Sequence, residues 1–584
     1  MAQQSTETDW VSRYADEVIA EAERRASGKV TSGASASVIV CASGLSPSGP
    51  IHLGNLREVM TPHLVADEIR RRGHQVRHLI SWDDYDRYRK VPAGVEGVDE
   101  SWAEHIGKPL TSVPAPAGSA YPNWAEHFKA AMTEALAELG VEFDGISQTE
   151  QYTSGAYREQ ILHAMRNRAK IDAILDQYRT KKAPAKKSQK PVDEAELEAA
   201  EGSGAATEDD GSGGSAGYFP YKPYCGRCEK DLTTVNSYDD ESTELSYTCT
   251  ACGFAETVRL SEFNRGKLVW KVDWPMRWAR EGVVFEPSGV DHSSPGSSFQ
   301  VGGQIVGIFG GERPIGPMYA FVGISGMAKM SSSKGGVPTP ADALEIMEPQ
   351  LLRWLYARRR PNQAFKIAFD QEIQRLYDEW DKLAGKVADG SVLPADAAAY
   401  ARAIGTAAGE LPRTPRPLPY RTLASVADIT AGHADQALRI LSDLDPAAPL
   451  TSLDEARPRL DKAEAWINKH VPAEQRTVVR DEPDTELLKS LDDQARDSIR
   501  LLLEGLDSHW SLDGLTHLVY GVPKVQAGFS ADATPKELPP EIKVAQRTFF
   551  ALLYHLLVGR DTGPRLPTLL LAVGADRVRT LLGA

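Results

Sequence analysis

Four of the five cysteines stand in two closely spaced pairs, Cys225 with Cys228 and Cys249 with Cys252. Two such pairs supply four thiolates in the spacing of a closed tetrahedral zinc site, which leaves no coordination position open for catalysis. Incidental free cysteines are the weaker alternative. We therefore predict a structural Zn²⁺, and we expect the short hairpins between the pairs to need it for folding.

A second candidate site is the glycine-rich segment over residues 47–55. It follows an apolar, β-branched stretch and precedes apolar residues with a period near 3.6, so it is predicted to join a strand to a helix. Free amides and the dipole at the start of a helix favour phosphate groups. Gly49 and Gly54 would let a flat or phosphorylated ligand approach closely, while His52 and Asn55 share one helix face. By itself the segment is equally typical of an ordinary capped turn.

A third candidate site is the sequence KMSSSKGG at positions 329–336. Lys329 and Lys334 flank three hydroxyl side chains, which include Ser331 and Ser332. Such a group can grip a triphosphate and stabilise the charge that develops on departing pyrophosphate. Taken alone, a solvated basic loop or a phosphorylation site is the simpler interpretation.

A fourth candidate site is a group of carboxylates after a predicted strand, at Asp83, Asp84 and Asp86. A buried ammonium group needs a paired anion, so these side chains would suit a cationic substrate. The alternative is that they cap the sheet edge and form ion pairs with Arg87 and Arg89.

The elements that must position these residues alternate in type. A helix is predicted over 8–28, a strand over 37–43, a helix over 52–72 and a strand over 76–82, which is the opening of a Rossmann-type, doubly wound parallel sheet. Further short strands are predicted in 267–274, 283–289 and 318–325. The fold class is therefore α/β with a small zinc-binding insert, followed by an all-α C-terminal domain. The expected domains are the N-terminal half of the catalytic domain (1–179), a disordered low-complexity insertion (180–217), the zinc-binding insert (218–260), the C-terminal half (261–340) and a helical region (341–584).

The composition of the chain excludes fewer classes of protein than these motifs do. The net charge of −15 neither supports nor excludes an RNA partner, because binding depends on where the basic residues lie. The chain has no apolar run long enough to span a membrane, and its first residues are polar and acidic, so we expect a cytoplasmic protein without a membrane partner. Few cysteines also suit a reducing compartment.

The segments at 47–55 and 329–336 together resemble the paired signatures of class I aminoacyl-tRNA synthetases. Three longer strings are similar to the class I lysyl-tRNA synthetases: WPMRWA at 274–279, FEPSGVDH at 285–292 and GRDTGPRLPTLL at 559–570. Two positions depart from that family. Val290 stands where a lysine is expected, and Ala320 stands where an acidic residue is common.

The resemblance implies that lysine is activated with ATP and Mg²⁺ and is then transferred to tRNA(Lys), with activation dependent on bound tRNA. It implies a lysine pocket formed by Gly44, Ser46, Trp270, His292 and Tyr319, to which we add Asp83 and Asp84. His52, Asn55, Lys329 and Lys334 would be catalytic. The ATP site would comprise Pro47, Gly49, His52, Gly54, Asn55, Asp291, Lys329, Ser331 and Ser332. The helical region would bind the anticodon, and we expect a monomer.

Some alternative functions retain the ATP-dependent activation of an amino acid, and one lacks it. A glutamyl-, arginyl- or cysteinyl-type synthetase or a tRNA-independent amide ligase would keep it, but residues 41–46 lack the arginine typical of the glutamyl enzymes. The long helical region argues against the amide ligase. A non-catalytic RNA-binding paralogue is expected to have damaged motifs, whereas His52, Asn55, Lys329 and Lys334 are all present.

Overall fold

The computed structural model describes residues 9–27, 38–179, 217–289, 297–325 and 336–583. Its α-helices are α1 (Trp10–Ser27), α2 (Leu53–Arg71), α3 (Trp124–Glu138), α4 (Gln148–Thr153), α5 (Arg158–Arg166), α6 (Arg168–Arg179), α7 (Trp270–Glu281), α8 (Ser298–Ile305), α9 (Pro340–Ile346), α10 (Pro349–Ala357), α11 (Glu372–Ala388), α12 (Pro394–Ile404), α13 (Tyr420–Thr430), α14 (Ala434–Asp443), α15 (Arg459–His470), α16 (Thr485–Ser490), α17 (Asp493–Gly505), α18 (Leu512–Gln526), α19 (Pro540–Val558), α20 (Leu566–Val573) and α21 (Ala575–Leu581).

Its strands are β1 (Ile39–Leu45), β2 (Val76–Trp82), β3 (Asp144–Ser147), β4 (Tyr221–Pro223), β5 (Thr233–Tyr238), β6 (Glu244–Cys249), β7 (Ala255–Arg259), β8 (Gly266–Leu268), β9 (Ser288–Gly289), β10 (Met318–Tyr319), β11 (Val322–Ser325), β12 (Phe365–Ala368), β13 (Gly405–Thr406) and β14 (Gly409–Glu410). The predicted opening of strand, helix and strand is confirmed, with the first strand two residues later than expected.

The sheet that carries the site is parallel. β1 pairs with β2 along its full length, from Ile39 opposite Val76 to Leu45 opposite Trp82, and β2 pairs with β3. All but one residue of β1 are buried, as a strand covered on both faces requires.

Parallel pairing continues on the other side of β1. Phe285 forms parallel bridges with Cys41 and with Ile315. Farther along, β9 pairs with β10 in parallel, with Tyr319 opposite Gly289. The carboxyl ends of these segments therefore reach the same edge of the sheet, where ligands bind in folds of this kind.

The prediction of a strand over residues 267–274 is wrong beyond Leu268. β8 ends there, and helix α7 begins at Trp270. The three tryptophans Trp270, Trp274 and Trp278 recur every four residues, so a helix turns all of them toward one face. That face is apolar and packs against Phe299.

Helix α2 is fixed by a buried arginine on its first turns. Arg57 donates hydrogen bonds to the backbone oxygens of Ala320 at 3.0 Å, Gln363 at 2.8 Å and Arg360 at 2.7 Å. The buried guanidinium group of Arg57 finds its hydrogen-bond acceptors in this way. The arginine thereby ties the helix that follows the glycine-rich turn to the segment beyond β10.

The cysteine-containing insert is a small antiparallel sheet. Strands β5, β6 and β7 pair in that order, with Thr233 opposite Cys249 and Leu245 opposite Val258. Leu245 and Tyr247 are fully buried on one face of β6.

The chain divides into two compact units. Unit 1 comprises Met1–Leu344, Pro349–Ile367 and Lys386–Leu411, and unit 2 comprises Glu345–Glu348, Ala368–Gly385 and Pro412–Ala584. The division therefore falls later in the chain than the boundary expected at 341. The short strands β12, β13 and β14 also lie after residue 341, almost wholly in the part of the chain that belongs to unit 1.

Within the residues that the structure describes, no helix combines the length and apolarity needed to cross a membrane.

Candidate active site

The glycine-rich turn ends in a histidine that caps helix α2. His52 has an extended backbone, and its Nδ1 accepts a hydrogen bond from the amide of Gly54 at 3.1 Å. Burial lowers the pKa of His52, so the ring is neutral near pH 7. Because Nδ1 accepts, the proton lies on Nε2, which can donate to an oxygen of a ligand.

Gly54 is needed for this cap. A Cβ at that position would lie 2.8 Å from two atoms of the His52 ring, which is closer than carbon atoms approach. Asn55 follows within the first turn and is half-buried. Earlier in the turn, Pro47 is buried, Gly49 is half-buried and Ser46 is exposed.

The segment after the lysine- and serine-rich sequence returns to the same turn. The backbone oxygen of Pro338 accepts a hydrogen bond from the amide of Leu53 at 2.9 Å. Residues a few positions beyond 329–335 therefore lie against the start of α2. Six predicted site residues lie outside the described part of the chain: Asp291, His292, Lys329, Ser331, Ser332 and Lys334.

A partly buried glutamate on α2, Glu58, links two of the predicted pocket residues. Glu58 accepts a hydrogen bond from the amide of Gly44 at 3.4 Å and another from the hydroxyl of Tyr319 at 3.2 Å. Burial, with Glu286 nearby, raises the pKa of Glu58 to about 8. A Cβ on Gly44 would come within 3.9 Å of both Glu58 and Asp83, so these three residues surround one small space.

The carboxylates after β2 already have partners. Asp84 is fully buried and accepts from Lys129 Nζ at 2.9 Å, from Ser147 Oγ at 2.7 Å and from the amide of Thr149 at 2.8 Å. Both of its oxygens are used, so this geometry does not support the predicted role of Asp84 in holding a substrate. Asp86 is held by Lys267.

Asp83 differs from Asp84 because, among the residues that the structure describes, only one of its oxygens accepts a hydrogen bond. Oδ1 accepts from Arg277 Nη1 at 2.6 Å, while Oδ2 faces Gly44. Burial raises the pKa of Asp83 to about 6, and the charge of Arg277 opposes the rise. Arg277 is shared with Asp273, so this part of the site contains its own cation.

Tryptophans from α7 form an aromatic wall beside these groups. Trp270 stacks on Trp274 with 5.1 Å between ring centroids, and Trp274 contacts Trp278 at 5.0 Å. The indole nitrogens of Trp274 and Trp278 donate to the two oxygens of Glu286 at 3.0 and 2.5 Å. Burial raises the pKa of Glu286 to about 7.

A small cavity of about 30 Å³ lies between the end of β1 and this wall. Gly44, Trp270, Trp274, Arg277 and Glu286 are among the residues that line it. Its walls combine apolar indole rings with a few polar groups, as sites for small ligands do, while its volume in this structure has room for only a water molecule or two.

Sequence reasoning missed Glu58 and Glu286 as site residues, and it gave Arg277 no role. A single carboxylate inside the otherwise apolar stretch VVFEPSG was a usable signal for Glu286. Glu58 offered no comparable signal, because an acidic residue on a helix is usually solvated.

The four paired cysteines meet in one cluster. Their sulfur atoms all lie within 4.8 Å of one another. Cys225 and Cys252 are separated by 3.6 Å between sulfurs, as are Cys228 and Cys249. Four sulfurs at about 2.3 Å from a tetrahedral metal ion are about 3.8 Å apart, so the cluster can hold such an ion.

Comparisons with known proteins agree along the chain. The family model described as tRNA synthetases class I (K) matches residues 8–407. The lysine–tRNA ligase of Streptomyces coelicolor is 86% identical over 583 residues, covering 100% of this chain and 99% of that protein. The lysine–tRNA ligase of Thermococcus kodakarensis is 32% identical over 551 residues (92% and 94%), and that of Treponema pallidum is 30% identical over 557 residues (93% and 94%). The chain belongs to the class I tRNA synthetases of the lysine (K) family.

Proposed function

We propose that this chain activates lysine with ATP and transfers the lysyl group to the 3′-terminal adenosine of tRNA(Lys). The observation that carries the proposal is the 86% identity to a lysine–tRNA ligase over the length of both chains. The cavity at the end of β1 supports it, because this cavity contains an apolar wall and a carboxylate, as an aliphatic cation requires.

The fold we propose for the catalytic part is a Rossmann-type, doubly wound sheet. The parallel pairing of β3, β2 and β1, with the bridges of Phe285 on the other side, is the basis for it. In such sheets the ligand lies in the crevice at the carboxyl ends of the strands, where the glycine-rich turn is found here.

In the first step, a carboxylate oxygen of lysine attacks the α-phosphorus of ATP. The bond from that phosphorus to the bridging oxygen breaks, and pyrophosphate departs with its Mg²⁺. The Nε2 proton of His52 and the free amides of α2 face the phosphates, and Asn55 lies beside them. Pro47, Gly49 and Gly54 allow close approach.

The remaining ATP contacts are assigned to residues outside the described ranges. Lys329 and Lys334 would offset the charge of the leaving pyrophosphate, with Ser331 and Ser332 beside them and Asp291 near the ribose. The hydrogen bond between Pro338 and Leu53 supports this assignment, because it brings the following segment to the phosphate end of the turn. Positioning and charge stabilisation carry this step, with little proton transfer.

In the second step, the 2′-hydroxyl of the terminal adenosine attacks the lysyl carbonyl, and AMP leaves. We assign tRNA recognition to the helical region after 341, most of which forms unit 2. Proteins read single-stranded RNA by stacking and hydrogen-bonding splayed bases. A monomer in the cytoplasm is part of the same proposal.

We assign Zn²⁺ to the cysteine cluster, where it would hold the turns of the small sheet together. Replacing Cys225 and Cys228 by serine together is expected to lower the zinc content from one ion per chain and to expose β5–β7 to proteolysis. Metal analysis and limited proteolysis measure both effects. Cys41→Ala is the matched control, since Cys41 is buried in β1 away from the cluster. Full zinc content in the double variant would contradict the assignment.

Aminoacylation assays test the function. Purified protein is incubated with ATP, Mg²⁺, tRNA and each amino acid in turn, and pyrophosphate exchange is measured with and without tRNA. We expect lysine alone to be charged, and exchange to require tRNA. Charging of glutamate, arginine or cysteine would keep the reaction class and overturn the substrate. No adenylation by zinc-replete, folded protein would favour the RNA-binding alternative.

A further inference from the structure

Ion pairs connect the cysteine-containing insert to the carboxyl ends of the sheet strands. Lys267 lies on β8, at the end of the insert, and its ammonium group pairs with Asp86 and, at 3.5 Å, with Asp273 on α7. Asp273 also accepts a hydrogen bond from Arg277 Nε at 3.2 Å, and Arg277 Nη1 donates to Asp83 Oδ1 at 2.6 Å. These five side chains form an ion-pair network in which the sign of the charge alternates from one group to the next.

The network holds three carboxylates and two cations, so it is sensitive to the loss of either cation. Its central groups are shielded from water: the side chain of Asp273 is 0% exposed, that of Arg277 is 6% exposed and that of Lys267 is 14% exposed. A buried carboxylate without a cation is costly, so its neighbours rearrange when its partner is removed. Without the charge of Lys267, Asp86 and Asp273 would compete with Asp83 for Arg277.

The first pair of cysteines lies close to the strand that carries Lys267. β8 pairs with β4, and β4 ends two residues before Cys225. Between them, the hydroxyl of Tyr224 donates a hydrogen bond to the backbone oxygen of Tyr85 at 2.6 Å, one residue before Asp86. A metal ion held by the four thiolates would therefore fix the positions of both Lys267 and its partner Asp86.

A second contact joins the first cysteine turn to the segment that follows β2. The amide of Asp231 donates to the backbone oxygen of Gly107 at 2.8 Å, and the amide of Leu110 donates to the backbone oxygen of Asp86 at 2.9 Å. Gly107 has a φ of +96°, and a Cβ at this position would lie 3.1 Å from the Cβ of Lys230. The insert therefore packs closely on the segment that begins at Asp86.

We infer that Lys267 is a positioning residue that couples the cysteine cluster to the edge of the sheet where the reaction is proposed to occur. It acts through Asp86 and Asp273, and so keeps Arg277 in its place. The inference rests on the Zn²⁺ assignment in the proposed function. It predicts that loss of the metal disturbs the end of β2 as well as the insert itself.

Hydrogen exchange of the full chain, measured without substrates, tests this coupling. Removal of zinc by a chelator is expected to speed exchange in the insert and also over residues 83–110, where the amides of Tyr88 and Leu110 are hydrogen-bonded. In Lys267→Met we expect full zinc content, unchanged exchange in the insert, and exchange over 83–110 that is faster on the order of 10-fold, because a broken buried ion pair costs at least this much. Lys267→Arg should restore the slow exchange.

Arg265→Met is the matched control, because Arg265 directly precedes β8 and is also paired with a carboxylate. Its partner is Glu256 at 3.2 Å, and this pair lies at the surface of the insert, outside the network. We expect wild-type exchange over 83–110 in this variant. Unchanged exchange over 83–110 after zinc removal, or in a folded Lys267→Met protein, would overturn the inference. Neither outcome depends on the proposed reaction, because no substrate is present.

Charging kinetics provide a second test. In Lys267→Met we expect kcat/KM for lysine to fall on the order of 10- to 100-fold with little change in the KM for ATP, because a displacement of about 1 Å at a reaction site has effects of this size. Replacing Cys225 and Cys228 by serine should cause a similar fall, and adding Lys267→Met should then lower kcat/KM little further. Losses that multiply would contradict the coupling. If the wild-type protein charges no amino acid, the proposed function fails and the exchange experiment still decides the inference.

Discussion

Each compact unit contains a buried glutamate, and the two glutamates differ in whether an arginine pairs with them. In unit 2, Glu348 accepts from Arg459 Nε at 2.7 Å and from Thr414 Oγ1 at 2.6 Å, and the same arginine donates to Asp381. In unit 1, Glu286 is equally buried, and its hydrogen-bond donors in the described part of the chain are two indole N–H groups.

This difference in ion pairing separates a glutamate with a structural role from one that borders a candidate ligand site. The charge of Glu348 is balanced within the unit, so the group joins α11 and α15 and needs nothing from outside. Among the described residues Glu286 forms no ion pair, and burial raises its pKa to about 7 although the charge of Arg277 opposes the rise. Burial alone therefore does not mark a binding residue, whereas burial without an ion-pair partner beside a cavity makes a residue a candidate.

The largest effect is expected when the balanced group is broken. Arg459→Met would leave Glu348 and Asp381 without their cation, and we expect the free energy of unfolding of unit 2 to fall by about 3–5 kcal/mol. Denaturant unfolding monitored by circular dichroism measures the loss. Arg457→Met is the control, because the ion pairs of Arg457 are exposed and should contribute at most about 1 kcal/mol. Equal effects of the two substitutions would remove the contrast between the glutamates.

A second prediction concerns the uncompensated carboxylates and pH. The folded pKa of Glu58 is raised to about 8 from an ordinary value of 4.5, so the folded state holds a proton that the unfolded chain releases. The stability contributed by Glu58 is therefore present at low pH and is lost as pH rises through 8, by at most about 1.4 kcal/mol per pH unit.

Glu58→Gln is expected to flatten this dependence, and saturating lysine should also reduce it in the wild type by supplying a cation to the site. Unfolding of unit 1 followed by tryptophan fluorescence between pH 5.5 and 8.5 measures both effects. Glu281→Gln serves as the control with its own arginine partner. A wild-type stability that rises over this range would contradict the prediction.

The smallest effect is expected at Asp84. Lys129→Met removes its cation but leaves the hydrogen bonds from Ser147 and Thr149, so we expect a loss of about 1–3 kcal/mol in stability. The KM for lysine should not change, since both oxygens of Asp84 are engaged inside the protein. If the KM for lysine rises in Lys129→Met while the KM for ATP is unchanged, the predicted role of Asp84 in binding lysine would be supported after all.

Much of the fold was predictable because it depends on local patterns. The β-branched stretch before the glycine-rich turn became β1, and the apolar period after it became α2. The failure at residues 267–274 has a physical cause: Trp270, Val272 and Trp274 alternate with polar residues as in a strand, yet the longer spacing to Trp278 is that of a helix.

The site was predictable only where its contacts are local in the sequence. His52 and Gly54 were identified from spacing, and their contact is local, between residues two apart. The carboxylates after β2 were identified by type, but which of them had an unused oxygen depended on Lys129 and Arg277, which are distant in sequence. The roles predicted for the 291–292 pair and the 329–334 sequence stay predictions.

The sequence by itself determined the cysteine cluster, the strand-to-helix turn and the family, because each depends on residues at fixed short spacings. Only the tertiary structure decided how charge is distributed around the cavity. Glu58 lies on α2, Glu286 follows Phe285, which pairs with β1, and the tryptophans lie on α7. These segments are far apart in the chain and meet only through packing. Electrostatic balance depends on distance in space and on exclusion of water, and neither follows from residue type.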